Sequence, residues 1–226
     1  MTANRSHAVM AQRAEAPDAL DFFPTPPWAT RALIEEVIDP QAVKDKTCWE
    51  PAAGEGHMAE TLRPYFLQLH ASDVHDYGRG YSVGSFTGGR LGLDRAVCPL
   101  YPDWIITNPP FNLAADFLSR ALIEAREGVA FLLRTAWLEG EERFRTVFAK
   151  TAPSTIAQFS ERVPMVKGRW DPDASSATAY LWLVWERDAT HGFARPSRSE
   201  LVWIPPGAKR RHTATDDRAR FAGEAK

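Results

Sequence analysis

Thr47-Cys48-Trp49-Glu50-Pro51-Ala52-Ala53-Gly54-Glu55-Gly56-His57-Met58 is the stretch that decides the fold class. Thr47 to Trp49 reads as a short apolar strand, and it runs directly into a turn with two glycines. Met58, Leu62 and Phe66 follow at four-residue spacing, which predicts a helix. Strand, glycine turn and helix in that order form the opening unit of an open α/β sheet, whose ligands sit at the carboxyl ends of the strands. Glycines there allow a sharp turn and a close approach to a ligand. The turn lacks a full Gly-x-Gly-x-x-Gly, and Gly54-Glu55-Gly56 alone also suits an ordinary strand–helix connection.

The pattern continues outward on both sides. Upstream, Thr25 precedes Pro26 and Pro27, and Trp28, Ala32, Leu33 and Val37 mark an apolar stripe. That predicts a helix capped by Thr25, with prolines in the first turn, ending at Asp39-Pro40. Downstream, Leu67 to Ser72 reads as a second strand closed by Asp73. Residues 76–103 are rich in glycine, tyrosine and turn formers and read as a long loop with one short strand at most. Trp104 to Thr107 is a buried strand, and Leu113, Phe117, Leu118, Ala121 and Leu122 predict a helix. Val129 to Leu133 is a third buried strand, and residues 140–150 read as helical through Phe144, Val147 and Phe148. Ile156 to Phe159 and Tyr180 to Trp185 are strands with no helical pattern between them, so they pair as a hairpin. Strands alternating with helices imply a parallel α/β sheet with crossover helices.

Composition sets outer limits. An apolar share of 44% suits a globular protein, and a net charge of −2 excludes a protein held to nucleic acid by bulk charge. Neither Cys48 nor Cys98 sits in a Cys-x-x-Cys pair, so no zinc site is indicated. The apolar runs are too short for a bilayer span and the first residues have no signal-peptide core, so the expected location is the cytoplasm, with no membrane partner. Residues 1–20 are expected to be a disordered segment, 21–205 the folded domain, and 206–226 a charged flexible tail.

Three segments carry chemistry. Asp73 lies nineteen residues beyond Gly54, where an acidic side chain can accept both ribose hydroxyls of an adenosine cofactor. A solvated turn aspartate has the same appearance. Asn108-Pro109-Pro110-Phe111, at the end of a buried strand, is more specific. An exocyclic amine is a poor nucleophile because its lone pair is delocalised into the ring. The Asn108 side-chain oxygen and the Pro109 carbonyl can each accept one amine hydrogen and draw the nitrogen towards tetrahedral geometry. The prolines at 109 and 110 stiffen the loop and remove competing N–H donors, and Phe111 offers a face for a base. No metal is required, since a sulfonium cofactor is itself the electrophile. Third, Phe23, Pro24 and Thr25 precede a helix N-terminus, a place that suits a cofactor carboxylate as well as a plain cap.

Together these segments resemble the amino-methyltransferases that act on DNA, of the adenine-N6 class, and most nearly the small phage- and prophage-encoded adenine methyltransferases. The resemblance spans about residues 22–185. It implies a Rossmann-like, seven-stranded methyltransferase sheet with a C-terminal antiparallel hairpin. It implies methyl transfer from S-adenosylmethionine to adenine N6 in DNA, double- or single-stranded. Asn108, Pro109, Pro110 and Phe111 become the catalytic loop, and Phe23, Pro24, Thr25, Glu50, Ala52, Gly54, Gly56 and Asp73 the cofactor site. Where that family often has Gly-Asp-Phe, this chain has Gly84-Ser85-Phe86, which leaves Asp94 as a substitute contact for the cofactor adenine. No separate target-recognition domain is expected within these residues. The stretch 160–178, with Arg162, Lys167, Arg169 and Trp170, is the expected nucleic-acid contact, and low sequence preference follows. A solvated hairpin loop would read the same way, as would a solvating tail for Lys209 to His212. A homodimer would supply a second DNA surface. The competing readings are a methyltransferase acting on an RNA base amine or a protein glutamine amide, and an inactive methyltransferase-like binding module. Intact Asn108, Gly54 and Gly56 argue against the last.

Overall fold

The computed structural model describes residues 21–88, 101–190, 192–193 and 198–222. The expected disorder of residues 1–20, Cys98 and the substitute contact Asp94 lie outside them. Eight strands form one sheet in the order β3-β2-β1-β4-β5-β7-β6-β8. The strands are β1 Thr47–Glu50, β2 Gln68–Asp73, β3 Ser82–Val83, β4 Trp104–Thr107, β5 Gly128–Arg134, β6 Thr155–Phe159, β7 Tyr180–Glu186 and β8 Glu200–Ile204. Strands β3, β2, β1, β4 and β5 are mutually parallel. Strand β7 runs antiparallel between β5 and β6, so the expected hairpin of β6 and β7 is present. The class is the expected Rossmann-like α/β fold.

The sheet has one strand more than the seven expected. Glu200–Ile204 adds to the edge as β8, parallel to β6. Its apolar run Leu201-Val202-Trp203-Ile204, bounded by Glu200 and Pro205, was the available signal. Only Ile204 is fully buried; Leu201 and Trp203 remain more than half exposed, as an edge strand with one open face allows.

Helices cover both faces. They are α1 Pro27–Leu33, α2 Pro40–Val43, α3 His57–Leu62, α4 Ala114–Glu124, α5 Glu141–Arg143, α6 Ala208–His212 and α7 Asp217–Phe221. Alternate residues of each central strand enter opposite layers. Trp104, Ile106, Leu132 and Trp182 pack with Trp28, Leu33, Met58 and Leu62 from α1 and α3. Ile105, Phe131, Leu133 and Trp185 pack with Phe117, Leu118 and Ala121 from α4. Such two-sided burial explains why β4, β5 and β7 are apolar throughout rather than alternating.

Two expectations are corrected here. Thr25 is buried but caps nothing: α1 starts at Pro27 with Pro26 as its N-cap and no side-chain cap bond. The prolines at 26 and 27 move the helix start beyond the reach of Thr25. Residues 206–222 are not a flexible tail. Arg31 donates to both carboxylate oxygens of Asp217, at 2.7 and 2.6 Å, and Asp217 is almost fully buried. Burial lowers the Arg31 pKa and the Asp217 carboxylate raises it, and the net shift is upward. Arg211 and His212 pair with Glu36, so two residues of the basic run are bound rather than solvating.

Candidate active site

The strand order reverses direction between β1 and β4, the position where an open α/β sheet leaves a crevice at its carboxyl edge. All three segments singled out in the sequence reach this edge. The turn after β1 is stitched to the end of β2: Ala53 N donates to Ser72 O at 3.0 Å, and Gly54 N to Asp73 Oδ2 at 2.8 Å. Gly54 and Gly56 have φ of +52° and +89°, which side chains strain to adopt. A Cβ on Gly54 would lie 2.4 Å from the Phe22 ring, and one on Gly56 would lie 2.0 Å from the Tyr81 hydroxyl. The close approach at Gly54 is therefore made by Phe22, an arrangement the sequence did not announce.

Asp73 is nine-tenths buried, and its two oxygens accept from Gly54 N and from His75 N at 3.0 Å. Burial raises its pKa above the usual carboxylate range, against the pull of those backbone donors. Each oxygen keeps a lone pair for a further donor. Glu50 lies deeper. Burial, and then the charge of Asp73, push its carboxyl well above the ordinary range. Its Oε2 is buried with no hydrogen-bond partner. Serine at 85 holds its own loop, accepting from Gly88 N at 3.2 Å, and Phe86 packs edge-on against Trp49.

Beyond β4, Asn108 points into the same crevice. Its Nδ2 donates to Phe23 O at 3.0 Å and faces Met165 Sδ at 3.6 Å. That bond orients the amide and leaves Oδ1 as an acceptor, buried and unpartnered. Residues 21–25 form a strap across the crevice. Phe111 N donates to Asp21 Oδ2 at 2.8 Å, and Gly168 N donates to Phe22 O at 2.9 Å. Of the residues expected from the sequence, Phe23, Pro24, Thr25, Glu50, Ala52, Asp73, Asn108 and Pro110 line this one crevice. Gly54 and Gly56 shape its turn, while Pro109 and Phe111 lie outside its lining.

One face of the Phe111 ring is covered. The Arg134 guanidinium stands 3.9 Å from its ring centroid, and Phe23 packs beside it at 5.2 Å. His57 and Tyr77, neither expected, also line the crevice. His57 Nε2 lies 3.1 Å from Phe221 O, which places a proton on Nε2, and Nδ1 is left without a partner. Burial lowers the His57 pKa to about 4. His57 is the first residue of α3 and was legible only as part of the turn.

The stretch 160–178 divides. Arg162, Lys167 and Arg169 are exposed. Trp170, expected to stack on a base, is instead buried edge-on against Phe221. Contact between the indole and the Phe221 ring removes apolar surface of both from water, which favours the buried position of Trp170. The stretch also binds the C-terminal helices. Glu161 accepts from Gly207 N and Lys209 N, and Arg218 pairs with Asp173.

Among the described residues no group of three or more His, Cys, Asp or Glu could hold a metal, and no helix is long and apolar enough to cross a membrane. No family model matches the chain. No curated protein matches it either. Solved structures do. A modification subunit assigned to a type I restriction enzyme from Vibrio vulnificus superposes with a TM-score of 0.53 at 15% identity, over 88% of this chain and 51% of that one. This chain thus spans about half the length of that subunit. A magnesium protoporphyrin IX methyltransferase from Synechocystis with bound SAM gives 0.48 at 9% identity, over 72% of this chain and 79% of that one. A 16S rRNA methyltransferase from T. thermophilus in complex with AdoMet and guanosine gives 0.45 at 14%, over 77% and 44%. The first of these likenesses establishes the fold alone, a Rossmann-like α/β sheet.

Proposed function

We propose that this chain transfers a methyl group from S-adenosylmethionine to the N6 amino group of adenine in DNA. The observation that carries the reading is Asn108: a residue lining the crevice whose Nδ2 is tied to Phe23 O, and whose Oδ1 is buried with no partner. A buried orphan acceptor costs about 1–3 kcal/mol, and a site that keeps one has a use for it. An sp² amine supplies the missing donor. Acceptance at Asn108 Oδ1 and at the Pro109 carbonyl draws the amine hydrogens apart and returns the lone pair to nitrogen. The prolines hold that geometry before substrate arrives.

The remaining residues fit the cofactor. Asp73, at the end of β2, has lone pairs for ribose hydroxyls. Glu50 Oε2, also buried and unpartnered, fits an ammonium group. When bound, the cofactor supplies the electrophilic methyl group. The chain supplies orientation, acceptors and a crevice lined by the strap 21–25. The Vibrio structure of similar fold is described as a modification subunit of a type I restriction enzyme, which supports DNA as the substrate.

Sequence preference should be low. Trp170 is buried, and the 160–178 stretch and the C-terminal helices are bound to each other, which leaves few side chains free for groove edges. The deciding experiment offers tritium-labelled cofactor with single- and double-stranded DNA, RNA and a glutamine peptide. Label recovered as N6-methyladenine in DNA is expected. Transfer only to RNA or peptide would refute the substrate, and no binding of the cofactor by calorimetry would refute the enzyme.

A further inference from the structure

Resting on the reading above, we propose that Arg134 holds a backbone phosphate of the substrate strand beside the target base, with Phe111 as the platform that fixes its guanidinium. Arg134 is the last residue of β5, which places it at the same carboxyl edge as the turn after β1, Asp73 and Asn108. It is exposed, yet its guanidinium is held 3.9 Å from the centre of the Phe111 ring. Exposed arginines ordinarily wave in solvent, and the two stacked planes remove most of that freedom. Stacking occupies the face of a guanidinium; one edge N–H meets the Tyr180 hydroxyl, and the remaining N–H groups are left for an incoming anion. Those groups match two phosphate oxygens. The buried Tyr180, which pairs in register with Arg134 across β5 and β7, is the hydroxyl partner that helps to fix the guanidinium.

The placement also accounts for Phe111. The sequence assigned its ring to the base, but one face is occupied by an arginine and the ring packs partly into the core beside Phe23. Asp21, the carboxylate of the strap, accepts from Phe111 N through Oδ2. A strand entering to deliver its base to Asn108 must bring a phosphate within one nucleotide of Phe111, and Arg134 is the guanidinium on that ring.

The test is binding of a fluorescein-labelled single-stranded DNA carrying one adenine, measured by anisotropy from 50 to 300 mM salt. Wild type, Arg134→Gln and Arg134→Lys are compared, each checked for an unchanged unfolding midpoint. Each phosphate neutralised on a single strand contributes about 0.7 to the slope of log K against log salt. Arg134→Gln should bind about tenfold more weakly at low salt, with a slope shallower by about that amount and the same loss on any sequence. Arg134→Lys should keep the slope. A slope for Arg134→Gln equal to wild type would overturn the proposal. Methyl transfer measured in parallel keeps the two claims apart. A wild type that binds DNA through Arg134 but does not methylate it refutes the adenine reading alone, whereas an Arg134-independent slope in an active enzyme refutes the phosphate role alone.

Discussion

Replacing Asn108 with alanine should remove methyl transfer and leave the fold as stable as wild type, or more so. The amide makes one good hydrogen bond, Nδ2 to Phe23 O at 3.0 Å, and leaves Oδ1 buried without a partner. The bond contributes about 1 kcal/mol net, while the orphan acceptor costs about 1–3 kcal/mol. The truncation therefore changes stability by between about zero and 2 kcal/mol in the variant's favour. For a chain of this size that is an unfolding midpoint unchanged or raised by a few degrees, at roughly 2–4 °C per kcal/mol. The rate should fall by about 10²-fold or more, as when one preorganised polar group is lost from a reaction site. Urea unfolding followed by tryptophan fluorescence gives the first number, and tritium transfer to DNA gives the second. A variant destabilised by more than about 2 kcal/mol would show the amide to be a strut of the strap. A rate within tenfold of wild type would show that it does not polarise the amine.

Asp73→Ala should weaken cofactor binding at least tenfold by calorimetry, since bonds to a charged acceptor contribute about 1.5–3 kcal/mol; an unchanged dissociation constant would place the ribose elsewhere. Asp217→Ala strands Arg31 in a largely buried site, and breaking such a pair costs about 3–5 kcal/mol, to be read as a lower urea midpoint with an unchanged slope. His57 has its folded pKa lowered to about 4 from 6.5. Its contribution is thus complete above pH 6.5 and is lost as pH falls from 6.5 towards 4, up to about 3 kcal/mol at 1.36 per unit. His57→Gln should flatten the stability profile in that window, and an unchanged profile would assign the acid loss to other groups. Modified adenines mapped by single-molecule sequencing should show little sequence preference; confinement to one motif of four or more base pairs, counted as bases read, would contradict the packing of residues 160–178.

The parallel half of the sheet was legible because its strands are short apolar runs that end in turn residues, Glu50 to Gly56, Asp73 and Asn108 to Phe111. Burial on both faces makes such runs continuous, and periodicity finds them. Distant pairings left no such mark. Trp170 looked like a stacking residue because nothing local records that Phe221 will cover it. The charged run 209–212 looked solvated because its partner, Glu36, lies far back in the chain. Phe22 over Gly54, and Arg134 on Phe111, are likewise contacts between elements, invisible to any window of sequence.

The bonds from Arg31 to Asp217 and from His57 to Phe221 join residues 186 and 164 positions apart. Their closure has a consequence for synthesis. While residues 208–221 are still inside the ribosome, α1 and the first turn of α3 have no cover, and His57 has no acceptor for its ring proton. The glycine turn and strap sit directly on those two helices. Loop closure over so long a separation is slow compared with forming the local β–α units. A nascent chain can therefore assemble its parallel sheet early, yet its crevice takes final shape only after translation has passed Phe221.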